Sequence, residues 1–339
     1  MLLRLTINKN KGKYMNIKKI GLTALAGSLI AATTGYAGEL TISGSAKLSH
    51  MSKGGTQNVT DVASGVSMDQ DLSASGSAEL DNGMTISVSH GLTSTGGTSD
   101  TSSLTLDMGD MGSITYNDTD LGNGLKALDD LAPSAYEEVW DGLTDVAWAK
   151  FPTGQGFAYN NTVAGASVSL VYSDNMGATA DRSDGGRDIT SAGAGSSSSI
   201  GIQYPVGDTG LTVFGGTGTA GGAADNTDVD HDTVGLKYAF GPFTASYQQN
   251  EADASGATAD LESTIYGVSM SINDNLSISY GNHETEKTGT TVDQELEGFS
   301  VAYSMGGMTL SAYHNDADNV GNVAGQTSDA TEVVLSFAF

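Results

Sequence analysis

Carboxylates are the residues of this chain best placed to do chemistry, and they crowd one stretch. Between residues 117 and 150 stand Asp118, Asp120, Asp129, Asp130, Glu137, Glu138, Asp141 and Asp145. In the same stretch Leu121, Leu125, Leu128, Leu131 and Ala132 recur at three- and four-residue steps. That spacing predicts a short amphipathic helix, interrupted at Pro133, with one further turn in Ser134–Trp140. A long insert in an otherwise regular chain is functional or disordered, and this one is too apolar and aromatic for disorder. Its chemistry is electrostatic: carboxylates held in a passage set its charge and width. The expectation is a loop folded into the lumen of a β-barrel. Asp129, Asp130, Glu137 and Glu138, nearest the short helix, should line the constriction, with Trp140 and Trp148 anchoring the loop to the wall.

A second acidic group, Asp228-x-Asp230-x-Asp232 with Asp225, resembles the start of a calcium loop. An EF-hand needs Gly at the sixth position and Glu at the twelfth, where Thr233 and Ala239 stand. A looser calcium site on these four carboxylates is the expectation that survives; no other cofactor is expected. Gly216-x-Gly218-x-x-Gly221 mimics a dinucleotide fingerprint but is followed by GAADNTDVDHD, which is no helix, so it reads as an outer loop. His50, His90, His231, His283 and His314 fall at loop-side strand ends or in loops, and no local motif pairs one with a serine. An enzyme is not expected.

The elements that must position these residues are strands. Lys18 and Lys19, an apolar run over residues 20–32 and Gly35-Tyr36-Ala37 make a secretory signal cleaved after residue 37, with Met15 a plausible start. Removing 1–37 takes six of fourteen basic residues and none of the forty acidic ones, leaving a net charge near −32 (8 − 40). Such a surface excludes nucleic acid. With no cysteine, disulfides contribute nothing. No later run reaches eighteen apolar residues, so any membrane crossing is by strands.

The mature domain, 38–339, reads as one opening strand, seven hairpins and one closing strand. Leu40, Ile42, Ala46 and Leu48 alternate with Thr41, Ser43, Ser45 and Lys47; a polar, turn-rich stretch then runs to about Gln70. Asp81-Asn82-Gly83 is a strong hairpin turn, and Gly109-Asp110, Gly241-Pro242, Asn273-Asp274-Asn275 and Gly306-Gly307 supply others. Short turns at one end and long Asp-, Asn-, Ser- and Gly-rich loops at the other is the asymmetry of an outer-membrane barrel. A sixteen-stranded barrel is too wide to fill with side chains. The face carrying Val234, Leu236, Tyr238 and Phe240 should therefore meet lipid, and the opposite face water.

The signal, the hairpin series, the acidic insert after the fifth strand and the terminal Val333-Val334-Leu335-Ser336-Phe337-Ala338-Phe339 together resemble the general diffusion porins of Gram-negative outer membranes. The resemblance implies an all-β, transmembrane, antiparallel 16-stranded β-barrel with its third loop folded inward. It also implies a homotrimer in contact with outer-membrane lipid and lipopolysaccharide, and passive diffusion of small hydrophilic solutes and ions. One departure matters. Family constrictions set loop carboxylates against wall arginines, whereas the cations expected in this lumen are Lys47 and Lys237. A net negative, cation-leaning pore follows. The alternatives are a channel selective for a sugar or cationic solute, and a secreted or surface β-rich adhesin.

Overall fold

Alternation of apolar with small polar residues makes each segment a ribbon with one greasy and one wet side, and neither side can be buried in a solid core. The computed structural model describes residues 40–58, 64–93, 99–118, 121–152, 154–173, 195–222, 227–255 and 259–339. The signal segment 1–37 with Met15, and Asp120 and Asp225, lie outside the described residues. Sixteen strands are present among those described. They are Leu40–Gly54 (β1), Gly65–Glu79 (β2), Thr85–Thr93 (β3), Ser99–Asp107 (β4), Ser113–Asn117 (β5), Gly156–Val163 (β6), Ala166–Ser173 (β7) and Ser197–Pro205 (β8). Leu211–Ala220 (β9), Val229–Phe240 (β10), Phe243–Ala254 (β11), Leu261–Asn273 (β12), Leu276–Lys287 (β13), Gln294–Met305 (β14), Met308–Asp318 (β15) and Thr327–Ala338 (β16) complete the set.

Each strand pairs antiparallel with its sequence neighbour, and β16 returns to β1 with Lys47 opposite Ser336 and Leu48 opposite Leu335. Closure leaves no unpaired edge and excludes a β-sandwich or β-helix adhesin. Gly44 and Phe339 exchange two main-chain hydrogen bonds, each 2.9 Å, so the last residue is sewn onto the first strand.

The sides are inverted relative to a soluble protein. Val66 is 70% exposed and Val234 61%, whereas Gln248, Asn250, Gln294 and His283 are 0% exposed on the inner side. Aromatic residues gather where strands meet the short turns, as in the stack of Tyr238, Phe240 and Phe243 (5.3 and 5.4 Å). Towards the long-loop end the outward positions turn acidic. Glu251 faces Glu262, Glu262 faces Glu286, Glu284 faces Glu295, and Glu297 faces Asp316. That change from apolar to anionic marks the boundary of the apolar band.

Two expectations are corrected here. The stretch after Ser49 is less irregular than its polarity suggests, because β1 runs on to Gly54 and β2 starts at Gly65. Polar residues reach far into strands whose inner side is wet. All five histidines lie within strands, in the halves nearer the long loops as expected, and none lies in a loop. His231 and His283 are buried on the inner side, while His90 and His314 sit on the outer side, bonded across the sheet to Ser102 (2.8 Å) and Thr331 (2.7 Å).

Candidate functional site: the pore constriction

The apolar contacts of the interior belong mostly to the insert. Leu121 packs on Ala158 and Val171; Leu125 and Phe151 pack with Ala220; Val139, Trp140, Leu143 and Val146 pack on Leu296, Ala317 and Val320. The insert leaves β5 at Asn117 and rejoins the barrel at Gly156. Its described residues 121–152 lie inside the barrel against the wall.

Its main chain has no strand partner, so its N–H groups must bond elsewhere. Side chains on the wall accept them in sequence. Gly124 N donates to Ser169 Oγ (2.8 Å), Leu125 N to Ser199 Oγ (3.1 Å), Leu131 N to Gln248 Oε1 (3.1 Å) and Ala135 N to Ser279 Oγ (2.8 Å). Asn315 Nδ2 donates to Glu138 O (2.7 Å), and Thr144 N donates to Ser328 Oγ (3.0 Å). The chain has then crossed from β7 to β16. It doubles back through Ala147 N to Gln294 Oε1 (3.0 Å) and Ala149 N to Ser263 Oγ (3.0 Å), and Phe151 covers His231 on β10 (5.3 Å). The insert thus lines the wall from β6 to β16 and leaves β1–β5 uncovered, so the open passage lies between the loop and those strands.

The short helix expected over Leu121–Ala132 is not formed, nor is the extra helical turn after Pro133. Leu128 N closes a single turn on Leu125 O (2.8 Å). Wall side chains take the N–H groups that a helix would use internally, and Gly122 and Gly124 hold φ of 52° and 64°. The leucine spacing records seating on the wall instead: Leu125 and Leu128 are 1% and 2% exposed. Trp140 and Trp148 anchor the loop as expected, their rings 4.7 Å apart and each meeting His283 edge-on at 5.6 and 5.4 Å.

The four expected constriction carboxylates fall into two groups. Asp129 is 5% exposed and paired with Lys126 at 3.3 Å, turned away from open water. Asp130 accepts from Ala132 N (3.0 Å), and burial, reinforced by the charge of Glu138, pushes its carboxyl up to about 8. At neutral pH it is protonated for the greater part. Glu137 and Glu138 instead join Asp141, which the sequence reading did not single out. Their oxygens lie within 4.8 Å of one another, and Asp141 Oδ2 accepts from Glu138 N at 2.9 Å. Burial pushes Asp141 up to about 6, helped by a side-chain hydrogen bond with Glu138 and opposed by the Glu138 N–H; burial, then Asp141, raises Glu137. The only signal for Asp141 was its three-residue offset from Glu138, which matters only once a turn forms there.

The two lysines also separate. Lys47 on β1 faces the lumen opposite Asp69 and is close enough to draw Glu137 towards ionisation. Lys237 lies on β10 four residues nearer the Gly241–Pro242 turn than Thr233, which bonds Asn250 beneath the loop (3.0 Å). Lys237 lies only two residues, about 7 Å, beyond Gly235, whose partner Gln248 accepts from Leu131 N, so it stands just to the turn side of the loop. Glu332 on β16 adds a further lumen carboxylate near Lys47.

Of the carboxylates expected to hold calcium, Asp228, Asp230 and Asp232 are among the described residues. Asp228 Oδ1 accepts from Gly222 N (3.1 Å), Asp230 Oδ1 accepts from Thr219 Oγ1 (2.7 Å), and Asp230 and Asp232 project from the exposed outer side of β10. Gly216 and Gly218 belong to β9, inside the barrel, and not to an outer loop.

Solved structures share this fold. A solved porin superposes with a TM-score of 0.65 at 16% identity, covering 89% of this chain and 100% of its own. OmpF of Salmonella typhi, in complex with daunomycin, gives 0.64 at 13% identity, over 89% of this chain and 98% of its own. The trimer form of OmpT from Vibrio cholerae gives 0.63 at 12%, over 89% and 100%. No curated protein matches the chain by sequence. The family model described as Gram-negative porin matches residues 21–293. With a closed sixteen-stranded barrel around an inward loop, the chain belongs to the Gram-negative porin family and is a diffusion channel of the outer membrane.

Proposed function

We propose that this channel passes small hydrophilic solutes and ions with a preference for cations, and that Glu137, Glu138 and Asp141 form its filter. One observation carries the reading: three carboxylates lie within 4.8 Å of one another at the inner loop, Glu137 among them feels the charge of Lys47, and Glu332 adds further negative charge. A passage with this excess of fixed negative charge concentrates cations and repels anions. Reversal potentials in planar bilayers under a salt gradient test it; anion preference would sink it. We also infer a homotrimer, supported by the likeness to trimeric OmpT and by the large apolar side chains Val66 and Met68 on the outer face of β2. Chemical crosslinking in mild detergent tests this, and a monomer under all conditions would refute it. The outward carboxylates of β11–β16 stand at headgroup level, where divalent cations could link them to lipopolysaccharide phosphates.

A second reading, selectivity for an uncharged sugar, draws on a recess of about 770 Å³ beneath the loop. Asn123, Asn160, Ser167, Ser169 and Gln203 line it with amides and hydroxyls. Saccharides that block ion current at millimolar concentration would favour it.

A further inference from the structure

We propose that glycines on the inner wall set the size cut-off of the channel by fixing how far the loop recedes. Five of them form two patches under the insert. Gly201 and Gly216 are register partners on β8 and β9; Gly267, Gly281 and Gly298 form an unbroken row across β12, β13 and β14. Glycine inside a strand costs conformational entropy and forgoes packing, so five on one surface need a cause. None has a positive φ, so backbone conformation does not require them. The approach of the loop does. A Cβ on Gly201 would run into Gly124 O of the loop and come 3.0 Å from Leu128 Cδ1, and one on Gly267 would come 3.2 Å from Pro133 Cδ; one on Gly216 would come 2.9 Å from Leu125 Cδ1 but nearer still to Ile200 O of the wall itself. On Gly281 and Gly298 it would meet Val139 Cγ1 at 2.7 and 3.1 Å.

Gly281 is the informative position. Its other near neighbour, Tyr266 O, is at an ordinary 3.7 Å, so Val139 alone occupies the space. A separation of 2.7 Å is roughly 1 Å short of the optimum between carbons, and the wall is held by hydrogen-bonded neighbours on both sides. The loop therefore gives way, towards the passage. Val139 lies between Glu138 and Asp141, so the same displacement carries the filter carboxylates away from β13 and into the passage. Gly298 is less clean, because its Cβ would also crowd Asn315, which holds Glu138 O and Asp141 O.

This inference rests on the loop being the constriction. The test compares wild type, G281A, G281A/V139A and E137Q/E138Q/D141N by single-channel conductance and by swelling of proteoliposomes in a saccharide series. G281A should conduct less and exclude the largest saccharide that wild type admits, with unchanged heat-modifiable migration. V139A in the same chain should restore both, which a purely structural role for Gly281 would not allow. If G281A does not fold, V139L presses on the same contact from the loop side and should give the same loss. Wild-type conductance in G281A or V139L, or no rescue by V139A, overturns the proposal. A selectivity change in the carboxylate variant without any effect of G281A would refute the glycine seat alone; no effect of either would refute the loop as filter.

Discussion

Gln294 grips the main chain of Ala147 with both ends of its amide. Its Oε1 accepts from Ala147 N at 3.0 Å and its Nε2 donates to Ala147 O at 2.7 Å. One side chain on β14 thus replaces the strand that the insert lacks, and Oε1 also accepts from Gly321 N at 2.9 Å. Gln294→Leu leaves these main-chain groups buried without partners, at a cost of about 1–3 kcal/mol for each group left unsatisfied. The expected outcome is a folded barrel whose insert is cut by protease faster than in wild type, with noisier open-channel current. Equal protease resistance would mean that water or neighbouring groups replace the amide.

Trp148 and Trp140 close on His283 from two sides, joining the outgoing and returning legs of the loop at one point on β13. Trp148→Ala removes a ring that is 9% exposed, a truncation costing about 3–5 kcal/mol in well-packed sites. Because the barrel's own ladder is untouched, the loss should fall on the loop. Conductance should fluctuate between levels while the barrel's unfolding temperature changes little.

The raised carboxyls of the insert give pH dependence of a definite sign. Burial makes the docked loop hold protons that an undocked loop would release between pH 4 and 8, so docking weakens as pH rises through that window and strengthens as it falls. Protease resistance of the insert should therefore increase from pH 8 to pH 5. Cation preference should move the other way, declining as Asp141 takes up its proton near pH 6. Asp130→Asn should leave selectivity at pH 7 almost unchanged, since that carboxyl is held up at about 8. A large loss of cation preference in this variant would place Asp130 in the filter as an ion.

Asp129 behaves differently. Its pairing with Lys126 and its burial fit a structural role, so Asp129→Asn should loosen the loop without altering reversal potential. Measured together with protease resistance, the two readouts separate anchoring from filtering.

The barrel was legible in the sequence because its physics is local: each strand carries its period-two pattern, and Asn82-Gly83, Gly241-Pro242 and Gly306-Gly307 mark turns within a few residues. The insert announced itself by breaking that pattern. Its inner conformation was not legible, because Leu125 and Leu128 are spaced as on a helix whether they face a helix neighbour or a wall. What decides between those is a set of distant partners, Ser199, Gln248 and Gly201, that no local window contains. Lys47 and Lys237 share a facing parity, but only the register shows that Lys237 stands about 7 Å to the turn side of the loop's contact through Gln248. Asp141 joined Glu137 and Glu138 through a turn that the wall imposes. The glycines beneath the loop looked like ordinary small residues of a polar strand face.

The direct measurement is the reversal potential of wild type and E137Q/E138Q/D141N in planar bilayers under a potassium chloride gradient at pH 7.5. Wild type should show a potential of the sign set by potassium, and the triple variant should move towards zero or to the chloride side. Chloride preference in wild type, or an identical potential in the variant, would contradict a filter built on the loop carboxylates.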